Sequence, residues 1–300
     1  MTTLDSAAPQ EDTAVQASHN ARSIGTALRW LRGHAVLAVA VTIFSIAAAW
    51  AVAPSLFTAF DPIAIDNTRK LLPPSGEHWF GTDLLGRDLF SRIVYGARAS
   101  LLGAGLAVTV AVVAGSLLGS VAGWFGGALD SVVMRVIDVV LSIPEFLLAI
   151  SIVVLYSATT GRAGLIPAAL AVGVTSSAKF ARLIRSEVLK VRTSSYVEAA
   201  VTSGATTFTI LRRHVVPNSL APTISLIAVQ LGIAIIWIAS LSFLGLGAQP
   251  PDPEWGLLVA DGRQFIATRG WLTLYPALTI VAVVMSTNII SRHLQKRNAR

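Results

Sequence analysis

Long apolar runs, interrupted by short basic or Gly/Pro-rich stretches, dominate this chain. The first covers residues 35–57, enough to cross a hydrocarbon core that needs about 20 helical residues. Ala51-Val52-Ala53 mimics a signal-peptidase site, but the run is longer than a signal core and Pro54 follows directly, so it reads as an uncleaved span. Further runs cover residues 99–124, 132–156, 163–181, 220–246 and 272–290. The pattern predicts an all-α integral membrane protein with six transmembrane helices and both termini cytoplasmic.

The segments between the runs complete the layout. Residues 1–34 lack apolar periodicity and are expected to be a disordered, basic cytoplasmic tail. Residues 58–98 form an extracytoplasmic loop. There Asp83 with Arg87 and Asp88 with Arg92 stand four apart, acid before base, the spacing of helix-supporting pairs. Leu85, Leu89, Phe90 and Ile93 would make the apolar face of an amphipathic helix lying along the membrane surface. Residues 99–291 hold the other five spans, with a polar loop at 193–217, and 292–300 form a basic cytoplasmic tail. Residues 249–254, with Pro250 and Pro251, predict a tight outer loop, placing Trp255, Trp271 and Tyr275 near the outer headgroups.

Three features inside the spans carry information. Gly115, Gly119 and Gly123 repeat every four residues, which lets helix backbones touch in lipid. Residues 125–131 read as a short turn, and Pro144 predicts a kink in the span after it. Glu145 falls near mid-span, where an ionisable group costs roughly 2.5–3.5 kcal/mol on insertion scales. It either lines a translocation path and meets a cationic part of the cargo, or pairs with a polar group of a neighbouring helix. Gln230 is a second polar candidate for such a path.

Composition excludes more than it proposes. The chain is 54% hydrophobic and 13% charged, against about a quarter charged in soluble domains. It has no cysteine, and its five histidines are scattered, so neither thiol chemistry nor a metal site within the chain is expected. The net charge of +7 does not point to nucleic acid. Of the 23 Lys and Arg residues, fifteen fall on the side read as cytoplasmic and eight outside, as orientation signals do. No phosphate-binding loop, GxSxG or HExxH motif occurs.

The polar island from Tyr196 to Pro217 organises the remainder. Ser195 and Glu198 stand as a capping box, Gly204 can end the helix in a left-handed conformation, and Thr206 or Thr207 can cap a second helix that stops near Pro217. Ala199 and Ala200 leave little side-chain bulk between the chain and an approaching surface. The string Glu198-Ala199-Ala200, three residues, Gly204, nine residues, then His214-Val215-Val216-Pro217 resembles the EAA loop of ATP-binding-cassette (ABC) importer permeases. The match is closest to the dipeptide, oligopeptide and nickel branch, in its second, C-type permease. FGTD-x2-GRD-x2-SR, with Gly81, Asp83, Gly86, Arg87 and Asp88, and LSFLGLGAQPPDPEWG, with Pro250, Pro251 and Trp255, resemble outer-loop motifs of the same family.

The resemblance implies a type I ABC importer permease fold in a bacterial cytoplasmic (inner) membrane. Tyr196, Glu198, Ala199, Ala200, Gly204, His214 and Pro217 would form a coupling helix seated on a separate ATPase. Implied partners are a related second permease, two ATPase subunits or domains, an extracytoplasmic solute-binding protein and membrane lipid. ATP and magnesium would sit on the ATPases, with no cofactor on this chain and no enzymatic activity of its own. Peptide cargo is expected, with nickel or a metal chelate as the alternative. An ion-coupled secondary transporter is the rival from another class.

Overall fold

The computed structural model describes residues 35–210, 213 and 216–298. The tail at 1–34 lies outside them. Ten α-helices follow in order: α1 (Ala35–Val52), α2 (Leu89–Phe125), α3 (Gly127–Ser142), α4 (Glu145–Thr160), α5 (Leu165–Arg192), α6 (Ser195–Thr202), α7 (Thr207–Ile210), α8 (Val216–Phe243), α9 (Trp255–Gly262) and α10 (Trp271–Asn298). Among the described residues, α1, α2, α8 and α10 are long and apolar enough to cross a membrane. The pair α3 and α4, bent by 96°, makes a fifth if it is one span. The segment expected as the fourth span became α5, which is long enough but not among these. Lys179, Arg182, Arg185, Glu187, Lys190 and Arg192 lower the apolarity of its second half, and its small-residue face is buried against α2 rather than turned to lipid.

The α2–α5 contact is the spine of the fold. A Cβ on Gly115 would sit 2.5 Å from Phe180 Cβ and from the Ser177 carbonyl, one on Gly119 would collide with the Ala181 carbonyl, and one on Gly123 would meet Val188 Cβ at 2.9 Å. Gly173 reciprocates from α5, 2.7 Å from the Ala107 carbonyl by the same construction. The four-residue glycine spacing read from the sequence is therefore a close-packed seam. Around it Ala104, Ala107, Val108, Ala168, Ala171 and Val172 are buried in one core with Ile235 and Ile238 of α8.

Three local expectations need correction. Pro144 breaks the helix outright: Ile143 is extended (φ −90°, ψ 134°), as a residue before proline prefers, and α4 starts anew at Glu145. The turn expected at 125–131 shrinks to Gly126. The amphipathic helix expected around residues 83–93 forms only from Leu89 onward, as the start of α2, because the chain turns before it. Gly86 has φ +77°, Thr82 bridges Asp88, and the Asp83 carboxylate accepts from the amides of Leu85 and Arg87. Asp83 and Arg87 do pair, at 2.7 Å, but across this turn. Asp88 caps α2 by accepting from the Ser91 amide, so Leu89 and Ile93 enter the core rather than the membrane surface.

Trp255 is also placed otherwise than expected. It is fully buried, with its indole N–H donating to the Ile93 carbonyl at 2.9 Å, so the ring lies between α9 and α2 and not among headgroups. An internal acceptor for the one polar atom permits that burial.

The seam predicts unequal tolerance on one helix. Gly119→Val should lower the thermal unfolding midpoint of the detergent-solubilised protein, since overpacking of a tight contact costs about 1–3 kcal/mol. Gly105→Ala, with nothing within 4 Å of its Cβ position, should leave the midpoint unchanged or slightly raised.

Candidate functional site

The polar loop grows directly out of α5. The Ser194 carbonyl accepts from the amides of Val197 and Glu198, so α6 is under way at Ser195, one residue before the capping-box expectation. Gly204 ends the turn after α6 with φ +82°. Thr206 starts α7, its hydroxyl accepting from the Thr209 amide at 3.3 Å and its carbonyl from the Ile210 amide. Two apolar side chains anchor the loop: Val197 and Ile210 are buried with Ile184, Val188 and Val191 of α5. Tyr196, Glu198, Ala199 and Gly204 are exposed on the other side. Pro217 stands in the first turn of α8, where its missing N–H is harmless. His214 and the Ala200 side chain lie outside the described residues.

The open surface around Gly204 refines the role expected for it. A Cβ there would meet nothing within 4 Å, so a side chain would not collide with the loop itself. The constraint is the backbone angle, which L residues other than Asn and Asp rarely adopt.

Sequence reasoning missed a ladder of ion pairs between α5 and the broken helix. Lys179 Nζ is 2.5 Å from Glu145 Oε2, Arg182 Nη2 is 2.7 Å from Asp138 Oδ1, and Arg185 grips Asp130 with both Nε and Nη2 at 2.5 and 2.6 Å. The bases are three apart on α5, while their partners run the opposite way along α3 and α4. Lys179, Arg182 and Arg185, which the sequence offers as orientation signals, are thus cross-braces. Their three-residue spacing is the only sequence signal for a shared face. At the top of the ladder Ser176 Oγ donates to Glu145 Oε1 at 2.6 Å, and Gln230 Nε2 reaches Ser176 Oγ at 2.7 Å. Glu145 and Gln230, the two sequence candidates for a path, therefore meet in one cluster, with the neighbour-pairing alternative for Glu145 realised through Lys179.

The two outer motifs also meet. Buried Arg92 donates through Nη1 to the carbonyls of Pro62 (2.9 Å) and Pro251 (3.4 Å), and lies 3.5 Å from Asp83 and 3.9 Å from Asp261. Arg92 thereby ties the motif of Gly81, Asp83, Gly86, Arg87 and Asp88, through Asp83, to that of Pro250, Pro251 and Trp255, through the Pro251 carbonyl. Glu254 is fully buried, accepting from Ser100 Oγ at 2.7 Å and capping α9 through the Leu257 amide. Burial pushes its carboxyl above the ordinary 4.5, against the opposing pull of hydrogen bonds from Ser100, Gly256, Leu257 and Ser242. Burial likewise raises Asp261, opposed by Arg92 and Arg87. No cluster of three or more metal-ligating side chains occurs among the described residues.

Comparison with known proteins follows the same lines. Residues 115–300 match the family described as binding-protein-dependent transport system inner membrane component. The chain is 37% identical over 281 residues to the probable D,D-dipeptide transport system permease protein DdpC of Escherichia coli, covering 93% of each. It is 41% identical over 240 residues to the dipeptide transport system permease protein DppC of Alkalihalophilus pseudofirmus, covering 80% of this chain and 77% of that one. Among solved structures, a chain of the inward-facing MetNI methionine ABC transporter superposes with a TM-score of 0.58 at 18% identity, covering 71% of this chain and 98% of that one.

The buried carboxyl of Glu254 generates a pH dependence with a defined sign. A folded-state proton affinity above the unfolded one stabilises the protein at low pH, and that contribution is lost as pH rises above 4.5 through the raised value. Thermal melts of the solubilised protein should show this decline, shallower in Glu254→Gln, with the slope left by Asp261 keeping the same sign. Identical slopes in both proteins would remove Glu254 as its source.

Proposed function

This chain belongs to the binding-protein-dependent transport inner membrane component family and is a permease subunit of an ABC importer, a transport component rather than an enzyme; from that premise we propose that it imports peptides and is driven through residues 193–217. The single observation that carries the coupling role is the construction of this loop. It is pinned to α5 by Val197 and Ile210 while Tyr196, Glu198, Ala199 and Gly204 face outward. A projection anchored on one side and exposed on the other suits docking on another protein.

In this proposal the chain contributes half of a pore, and a related second permease completes it. Two ATPase subunits carry ATP and magnesium, and closing on ATP draws the two coupling loops together. The motion passes along α5, because α6 follows α5 after only Thr193 and Ser194. A solute-binding protein delivers cargo to the outer surface built by the Arg92 cluster. The protein is a multi-pass membrane protein. We place it in the bacterial inner membrane, with α5 counted as a sixth span inside the bundle and both termini cytoplasmic. Support for peptide cargo comes from the dipeptide transport relatives. Nickel or a metal chelate is the second reading.

The coupling role is tested at Gly204. In the complete transporter, Gly204→Val should leave membrane levels intact yet reduce ATP-driven uptake severalfold, because a β-branched residue at φ +82° strains the turn. Gly204→Asn, which tolerates the left-handed region, should retain most uptake. Wild-type uptake in a membrane-verified Gly204→Val strain would exclude the loop from coupling.

A further inference from the structure

The cluster around Glu145 combines opposite charges with unused hydrogen-bonding capacity. Ser176 and Gln230 are each 1% exposed, whereas the Glu145 and Lys179 side chains keep 17% and 34% of their surface open. The buried pair therefore forms the back wall, and the ions form the accessible front. Gln230 spends its amide N–H on Ser176 and approaches Glu145 at 3.4 Å, but its Oε1 is buried with no hydrogen-bond partner among the described residues. Two turns along α8, the indole N–H of Trp237 is likewise buried and unpartnered. A buried polar atom left unpaired is unfavourable, so an unused acceptor and an unused donor on one helix point to an occupant.

The walls around them are apolar. Phe146, next to Glu145, stacks on Trp237 with ring centroids 4.8 Å apart and 16° between planes. Phe146 also lines, with Ile236, Ser240 and Phe243, a cleft of ≈ 370 Å³. The rise along α8 from Gln230 to Trp237 is about 10 Å, and an extended dipeptide or tripeptide spans about 7–11 Å.

We propose that Glu145, Lys179, Ser176 and Gln230 form a recognition site for a short zwitterionic peptide, in which the Glu145–Lys179 pair opens and each ion takes one terminus of the cargo. The peptide ammonium binds Glu145 and the Gln230 carbonyl oxygen. Its carboxylate binds Lys179, with the Ser176 hydroxyl free to turn toward it once Glu145 has moved. Trp237 donates to a backbone carbonyl of the cargo, and its side chains enter the apolar cleft. One ion pair is exchanged for two, and the net charge of the site stays zero throughout. A cargo of single charge would leave one partner of the opened pair uncompensated. Without cargo, the pair closes on itself and seals the position with no unpaired charge.

The site rests on the proposal of peptide import, and one experiment separates their failures. The complete transporter is reconstituted in proteoliposomes with its second permease, ATPases and cargo-loaded binding protein. Uptake of radiolabelled alanyl-alanine is read beside binding-protein-stimulated ATP hydrolysis. The double variant Glu145→Gln with Lys179→Met removes both charges at similar volume, a change that a purely structural ion pair tolerates well. Uptake should fall about tenfold or more, the loss of a charge-assisted contact, while ATP hydrolysis and assembly stay near wild type. Wild-type uptake by this variant would overturn the site. Should it fail to assemble, Gln230→Leu takes its place, with the same loss expected and unchanged uptake again overturning the site. Failure of the wild-type transporter itself to accumulate the dipeptide would overturn the peptide proposal, and the site with it, before any variant is compared.

Discussion

The backbone-to-backbone contact of α2 and α5 is the constraint on which the rest of this structure depends. In lipid, helices gain little from burying apolar surface against each other, so close packing and polar links must hold them. Gly115, Gly119 and Gly123 on one side and Gly173 on the other bring the two helices to a separation that no side chain would allow. The charged residues and the polar loop are then carried by α5. Its middle holds Lys179 and Ser176, its second half Arg182 and Arg185, and its end leads through two residues into the polar loop. A shift of α5 against α2 would move all of these together.

The ion-pair ladder adds a second tie of graded strength. Arg182 and Asp138 are more than half exposed, so their pair contributes little, about 0–1 kcal/mol. Arg185 and Asp130 are more enclosed and meet in a two-pronged geometry that adds orientation as well as energy. Glu145 and Lys179 sit at the break in the helix, where α4 starts anew after Pro144 and is bent by 96° from α3.

Most of this was legible where the signal was periodic or local. The glycine seam follows from four-residue spacing, the left-handed turn at Gly204 from a lone glycine after a helix, and the apolar spans from run length. Three kinds of feature were not. The Asp83–Arg87 and Asp88–Arg92 spacing suits a helix, but Gly86 and the side-chain turn at Asp83 override it, because an aspartate that satisfies nearby amides competes with helix formation. Trp255 looks interfacial by residue type, and only its distant acceptor, the Ile93 carbonyl, makes burial possible. The partners of Glu145 and Arg185 lie 34 and 55 residues away in sequence, and no spacing rule reaches across separate helices.

The pairing of Glu145 with Lys179 also bears on how such a subunit is made. A lone carboxylate within an apolar helix hinders release from the insertion machinery into lipid and marks unassembled chains for removal. Here the compensating charge is supplied by the same polypeptide, on a helix synthesised immediately afterwards. The newly made subunit thus becomes electrically neutral at that depth as soon as α5 docks. Neutralisation within one polypeptide leaves no need for another protein to cover this charge.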